Sequence, residues 1–322
     1  MTHPRVAVLA AVRTAMVGLP TDQPVLVACS GGPDSVALTA AAVRLGARLG
    51  MPVAAAIIDH GLQSDSEAVA TRAAQLCADL GAAPVIVRRA SVSGSGGLEA
   101  AARRTRYDAL AAIASEHGAS AVLLGHTQDD QAETVLLGLA RGSGARTLAG
   151  MPARRGLYLR PLLDLPRAVV RDAFPDLPTW HDPHNSDQRF LRVRVRDHVL
   201  PMLTEQVGAG VVRALARSAA QCRAEVDAVD EWARRVLPEC VTSTVAEVVI
   251  DAPALADYPE AVVTRVVRQS AEAAGSPPAA LTATHLSALT AIILRWHGQG
   301  TVALPGSVSA SRISGRVVLR RK

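Results

Sequence analysis

A chain of 322 residues is long enough for two domains and a large buried core. Apolar residues make up 49% of it but aromatics only 2%, which excludes a disordered chain and leaves Ala, Val and Leu to fill the interior. The formal net charge of +5 is carried almost wholly by arginine, Lys322 being the one lysine, and Cys29, Cys77, Cys222 and Cys240 never form CxxC, which argues against a zinc ribbon or a disulfide scaffold.

Residues 5–18 read as a helix that packs Val6, Leu9, Val12 and Met16 at three- and four-residue spacing. Their apolar run is short and stopped by Arg13, unlike an export signal, and no run approaches membrane-spanning length, so the expected location is the cytoplasm, with no membrane partner.

The next apolar run, Val25-Leu26-Val27-Ala28-Cys29, leads into Ser30-Gly31-Gly32-Pro33-Asp34-Ser35 and then into apolar residues at helical spacing through Val43 and Leu49. That pattern predicts strand, tight loop, helix. Glycines at such a corner let the backbone approach a ligand, and the free N–H groups opening the helix favour an anion, here a pyrophosphate. No Gly-Lys-Ser/Thr follows, so this is not a Walker loop. A carboxylate, Asp34, beside phosphates predicts a shared Mg²⁺ ion. The segment resembles the SGGxDS signature of the PP-loop ATP pyrophosphatases. That resemblance implies ATP held by Ser30, Gly31, Gly32, Pro33, Asp34 and Ser35, and cleavage to AMP and pyrophosphate.

Residues 52–59 give a second strand ending in Asp59-His60-Gly61, Ser64 and Glu67 have capping-box spacing before another helix, and Val85-Ile86-Val87 is a third strand. Alternating strands and helices predict an α/β fold with a doubly wound parallel sheet. Ser93-Gly94-Ser95-Gly96-Gly97 is a glycine loop before a helix beginning near Leu98, whose Glu99, Arg103 and Arg106 form a charged stripe. The strand Val122-Leu123-Leu124 then runs into Gly125-His126-Thr127-Gln128-Asp129-Asp130-Gln131-Ala132-Glu133. A helix beginning near Thr127 puts Asp130 and Glu133 one turn apart on one face, where they either offset the helix dipole or bind a metal or an amine. A second glycine loop, residues 142–144, follows.

At this block the chain is identified as resembling one family, the tRNA(Ile)-lysidine synthetases, through SGGPDS, IIDHGL, EAAARRTRYDAL, GHTQDDQAETVLLGLARGSG, LAGM, RPLL, DPHNSD and FLRVRVRDHVLP, in order over residues 25–203. The resemblance implies a ligase that forms a carbon–nitrogen bond. ATP adenylates the C2 carbonyl oxygen of the wobble cytidine in an isoleucine tRNA with a CAU anticodon. The side-chain amine of free L-lysine then displaces AMP, and codon reading changes from AUG to AUA. The implied catalytic residues are Asp34, Arg106, His126, Asp130 and Glu133. Asp34 and Asp130 would hold Mg²⁺, His126 would contact the phosphoryl region, Glu133 would take the lysine ammonium and Arg106 its carboxylate or the developing charge. Where the family has an asparagine within FLRVRVR, this chain has Val193.

Residues 151–200 fit an RNA-facing extension, with Trp180, Phe190 and the turn-forming residues 182–187. From Arg189 to Arg223 seven arginines stand against Asp197 and Glu205, an excess equal to that of the whole chain. Arg189, Arg192, Arg194 and Arg196 are the candidate tRNA contacts, since arginine suits phosphate contact and base stacking; the plain alternative is a solvated basic helix face.

Beyond residue 205 the expected elements are alanine-rich helices over 209–237, 259–274 and 282–296, a strand near Val248-Val249-Ile250 and a terminal hairpin. The chain is thus read as a PP-loop catalytic domain with its basic extension over 1–205 and a smaller, mainly helical tRNA-binding domain over 206–322. Oligomeric state is open, with a homodimer as one form. The competing activity is tRNA 2-thiolation by a PP-loop enzyme, which generally needs cysteines, often as CxxC with an iron–sulfur cluster, a pattern this chain lacks; an RNA-binding module without catalysis is the other class.

Overall fold

The computed structural model describes residues 3–61, 65–91, 98–141, 144–180 and 187–321, side chains 98–100 excepted. Ser64, the glycine loop 93–97, residues 142 and 143, residues 182–186 and the Glu99 side chain, all invoked above, lie outside it. The chain divides into two compact units, residues 1–223 and 224–322, against an expected boundary at 205/206.

In the first unit, helix α1 (Pro4–Met16) precedes a repeating series: β1 (Val25–Ala28), α2 (Pro33–Leu49), β2 (Val53–Asp59), α3 (Ser66–Asp79), β3 (Val85–Arg89), α4 (Leu98–Glu116), β4 (Ala121–Leu123) and α5 (Gln128–Ala140). Then come α6 (Ala145–Leu148), short strands β5 (Arg154–Arg155) and β6 (Tyr158–Leu159), and α7 (Arg167–Asp172). The unit ends with α8 (Leu191–Arg194), a π-helical turn (Val195–Val199), α9 (Leu200–Val207) and the first part of α10 (Val211–Cys240).

Among the described residues the sheet has six strands in the order β3-β2-β1-β4-β6-β5, parallel except for β5. Every residue of β1 is buried, as a strand covered on both faces requires. Val25 and Val27 point to the side of α1, α2 and α7, where Val12, Leu38, Leu45 and Val170 fill the core. Leu26 and Ala28 point to the other side, against Leu110 and Ile113 of α4. Small side chains do this work: Ala54, Ala55 and Ala56 of β2 are all essentially inaccessible.

The second unit corrects the expectation of a mainly helical domain. Among its described residues β7 (Val241–Ser243), β8 (Glu247–Asp251), β9 (Val302–Leu304), β10 (Val308–Ile313) and β11 (Arg316–Arg321) form an antiparallel sheet of five strands in the order β7-β8-β11-β10-β9. Helices α11 (Ala252–Ala256), α12 (Glu260–Ala273) and α13 (Ala283–Leu294) accompany it. Val262, Val266, Leu289 and Ile292 meet Ile250, Val317 and Leu319 in one core. The helices were legible by period, but β7 and β9 have three residues each, too few to display alternation. The sheet also depends on pairing Glu247–Asp251 with residues near the terminus, Asp251 opposite Arg316 and Glu247 opposite Arg320, a long-range contact that local periodicity does not report.

Candidate active site

The site lies where the sheet changes direction. From β1 the chain winds outward through β2 and β3, then returns past β1 to β4. The loops leaving β1 and β4 therefore diverge and open a crevice at their carboxyl ends, which is where open α/β sheets hold ligands.

The β1 loop is shaped from within. The Ser35 hydroxyl donates to Gly32 O (2.9 Å) and accepts from Ser30 N (3.1 Å), and Ser30 Oγ stands 3.2 Å from it. Gly31 has φ +79°, a left-handed conformation that favours glycine, and its carbonyl accepts from Trp180 N (2.9 Å). Pro33 opens α2 with its fixed φ, and Asp34 sits in the first turn. The β4 loop packs directly on this corner. A Cβ on Gly125 would come within 3.2 Å of Asp34 O and Ser35 Cα, so the two backbones approach as closely as a glycine permits.

Thr127 caps α5, its N–H and hydroxyl both donating to Asp130 Oδ2 at 2.8 Å. Asp130 and Glu133 do share one face of α5, and the structure brings to them a residue the sequence reading missed. Arg167, at the start of α7, donates from Nη2 to Asp130 Oδ1 (2.9 Å) and Glu133 Oε1 (3.3 Å), and its Nε lies 3.6 Å from Asp34 Oδ2. Its backbone N–H donates to Asp129 Oδ2 (2.8 Å). Arg171, one turn later, places Nε 3.6 Å from Asp34 Oδ1. The available signal was compositional: acids from Asp129 to Glu133 in a chain whose cations are arginines.

The candidate tRNA contacts divide. Arg192 and Arg196 turn inward to Glu133, Arg192 Nε at 3.2 Å and Arg196 Nε and Nη2 at 2.7 and 3.1 Å. Glu133 has no exposed surface. Arg189 pairs with Asp187 and is 84% exposed, and Arg194 donates to the Gln188 and Arg189 carbonyls. Val193, in the family's asparagine position, is buried.

Burial pushes the Asp34 carboxyl above its ordinary value, in spite of Arg167 and Arg171. Burial also acts upward on Asp130, but Arg167, His126 and the Thr127 donors outweigh it and hold the carboxyl below its usual range. His126 is pulled down to about 3 by burial, reinforced by Arg106 and Arg160, so its imidazole is neutral. Burial is also the main influence lowering Arg106, which stands within electrostatic reach of Asp130, Arg192, His60 and His126.

The residues present fit one Mg²⁺ ion shared with phosphates. Asp34 Oδ1 is buried and, among the described residues, accepts no hydrogen bond. Asp130 is engaged at both oxygens, and among the described residues no cluster of three His, Cys, Asp or Glu side chains is able to hold a metal by itself. A carboxylate or two plus phosphate oxygens and water is the usual Mg²⁺ arrangement. Among the described residues no helix is long and apolar enough to cross a membrane.

Residues 7–203 match the family model described as the PP-loop domain, and residues 251–321 match the TilS substrate binding domain. The chain is 46% identical over 318 residues to the tRNA(Ile)-lysidine synthase of Thermobifida fusca, covering 98% of this chain and 97% of that protein. With the synthase of Streptomyces coelicolor identity is 47% over 309 residues, covering 94% and 87%. A solved structure, the U34-tRNA thiolase NcsA from Methanococcus maripaludis with its [4Fe-4S] cluster, aligns with a TM-score of 0.56 at 16% identity, covering 66% of this chain and 77% of that one. At that identity the likeness is one of fold.

Proposed function

The chain belongs to the tRNA(Ile)-lysidine synthase family of PP-loop enzymes, and we infer that it forms lysidine at the wobble position of a CAU-anticodon isoleucine tRNA, using ATP and free L-lysine. The observation that carries this reading is the contact between the Ser30–Ser35 corner and the Gly125 loop, which sets a phosphate cradle beside the Asp130 and Glu133 carboxylates.

The C2 oxygen of cytidine is a poor leaving group until it becomes a phosphoester. It attacks the α-phosphorus of ATP, the bond to pyrophosphate breaks, and the lysine ε-amine then attacks C2 as AMP departs. Little covalent chemistry falls to the protein, which must align the reactants and stabilise charge. Ser30, Gly31, Gly32, Pro33 and Ser35 bind the phosphates through a loop already closed by the Ser35 hydroxyl. Mg²⁺, when bound, neutralises phosphate charge. Asp34 would hold it, because Oδ1 is uncommitted by hydrogen bonds, and Asp130, engaged by Arg167 at Oδ1, would be the second candidate ligand. His126, neutral, offers a hydrogen bond at the phosphoryl region without adding charge.

Glu133 and Arg106 hold lysine, the ammonium replacing one of the arginines now on Glu133. Arg189 and Arg194, on the surface, meet tRNA phosphates, and Arg192 and Arg196 reach them when released from Glu133. Catalysis falls to residues 1–205 and tRNA holding to residues 206–322, a division supported by the two family-model matches. The expected location is the cytoplasm.

The test is incorporation of labelled lysine into unmodified CAU-anticodon isoleucine tRNA with ATP and Mg²⁺, a methionine tRNA serving as control. Label in the isoleucine tRNA alone is the expected result. AMP release without label would retain adenylation and replace lysine as the nucleophile; neither signal would overturn the reading.

A further inference from the structure

We propose that Arg167 and Arg171 are the pyrophosphate-binding cations of this site, held by Asp34 until a polyphosphate takes them. The inference rests on the ATP-using reading of the same crevice. A nucleotide-binding loop that lacks the Walker lysine still needs positive charge where pyrophosphate departs, and Lys322 is the one lysine in the chain.

Helix α7 supplies that charge in a fixed position. Val170, between the two arginines, is fully buried in the core under β1, and the Arg167 N–H is bound to Asp129, so the helix cannot slide. One turn apart, Arg167 and Arg171 project from the same side of α7, and each places its Nε 3.6 Å from a different oxygen of Asp34. That distance is an ion pair beyond hydrogen-bond length. Asp34 Oδ1 accordingly accepts no hydrogen bond among the described residues. The pairing is loose at the one carboxylate that lies inside the phosphate loop. Each guanidinium has five N–H donors in a fork suited to phosphate oxygens. Arg171 is about half exposed and Arg167 is 13% exposed, so the outer cation is open to an arriving ligand while the inner one is already anchored. A polyphosphate in the crevice would draw both forks from carboxylate to phosphate without movement of the helix.

The experiment measures calorimetric affinities of the full chain for inorganic pyrophosphate, ATP and AMP, each with Mg²⁺, in wild type, Arg171→Ala and Arg167→Lys. Arg171→Ala removes one exposed partner of Asp34 and should leave the fold intact, which thermal melting checks. Arg167→Lys keeps the counter-charge that the three acids need and removes the fork. Each variant should weaken pyrophosphate and ATP by about ten- to a hundredfold, the range for losing a charge-assisted hydrogen bond, and leave AMP unchanged. Unchanged pyrophosphate and ATP affinities would overturn the proposal, as would an equal loss for AMP, which signals a distorted pocket. If wild type binds AMP but neither ATP nor pyrophosphate, the ATP-using reading falls as well.

Discussion

The side-chain amide of Gln131 holds the backbone of Met151 at both ends, donating to its carbonyl (2.9 Å) and accepting from its N–H (2.8 Å), in a buried setting. The neighbouring Gly150 has φ +58°, and a Cβ there would lie 2.5 Å from Gln131 Oε1. Arg223 closes the turn by donating to the Gly150 carbonyl (2.8 Å). This clamp ties residues 149–151 to α5, the helix that carries Asp130 and Glu133. Gln131→Ala strands a buried donor and acceptor and should cost about 1–3 kcal/mol. Gly150→Ala adds left-handed strain, about 1–2 kcal/mol, and displaces the amide. The double variant frees space for the new methyl, so its loss should be smaller than the sum of the singles. Urea denaturation of the three variants measures this; strict additivity would contradict the clash.

Glu133 is enclosed by Arg167, Arg192 and Arg196. Glu133→Gln keeps the shape and leaves these guanidinium groups without their common anion. Breaking a buried ion pair typically costs about 3–5 kcal/mol, so the melting transition should fall clearly. The rate of lysine incorporation should drop roughly 10²-fold, as for the loss of one positioned electrostatic group. Arg189→Ala is the contrast on the same segment: its pair with Asp187 is exposed, and the melting curve should stay in place while tRNA affinity weakens. Equal thermal effects from the two changes would show that Glu133 does not anchor the arginines.

Asp34 and His126 should give opposite pH dependences of stability. The Asp34 carboxyl is raised above 3.8, mainly by burial. Between its ordinary and raised values the native state holds a proton that the unfolded chain has released, so stability falls as pH rises through that window. Asp34→Asn should therefore raise the melting temperature at about pH 8, with the gain fading in acid. His126 is lowered from 6.5 to about 3, again chiefly by burial. In that interval the unfolded chain binds a proton the native state lacks, and stability is lost as pH falls. His126→Gln should help at about pH 4.5 and not at about pH 8. Melting each variant at both values, against wild type, tests both signs.

The strand-loop-helix corner was legible because the apolar period changes on either side of Ser30–Ser35, and the α5 acids because helical spacing fixes their shared face. What joins them was not. Arg167 and Arg171 follow a proline in an ordinary short helix, and nothing local distinguishes them from solvated arginines. Their partners come from α2 and α5, so the cluster exists only once the sheet is assembled. Arg192 and Arg196 read as part of a basic surface for the same reason: charge density along the chain gives the sign of a face but not which members turn inward to an anion. The strand near Val248 and the terminal hairpin were legible, but their joining into one sheet was missed on the same physical ground, since β8 and β11 pair across most of that unit.

Gly125 offers a direct test of how closely the two loops must approach. A Cβ there would meet Asp34 O and Ser35 Cα at 3.2 Å, backbone atoms that cannot swing aside as a side-chain end can. Gly125→Ala should push the β4 loop, with His126, off the phosphate corner. A displacement of even 1 Å near reacting groups can cost about 10²-fold, so ATP–pyrophosphate exchange should fall by at least tenfold. The core contacts of β4 remain, and the melting temperature should change little. Gly144→Ala is the matched control, because among the described residues a Cβ there meets nothing within 4 Å and Gly144 lies in extended backbone at φ −70°. It should exchange like wild type. Wild-type exchange in Gly125→Ala would mean that the corner tolerates a wider gap, and the close contact would then be packing without consequence for the nucleotide.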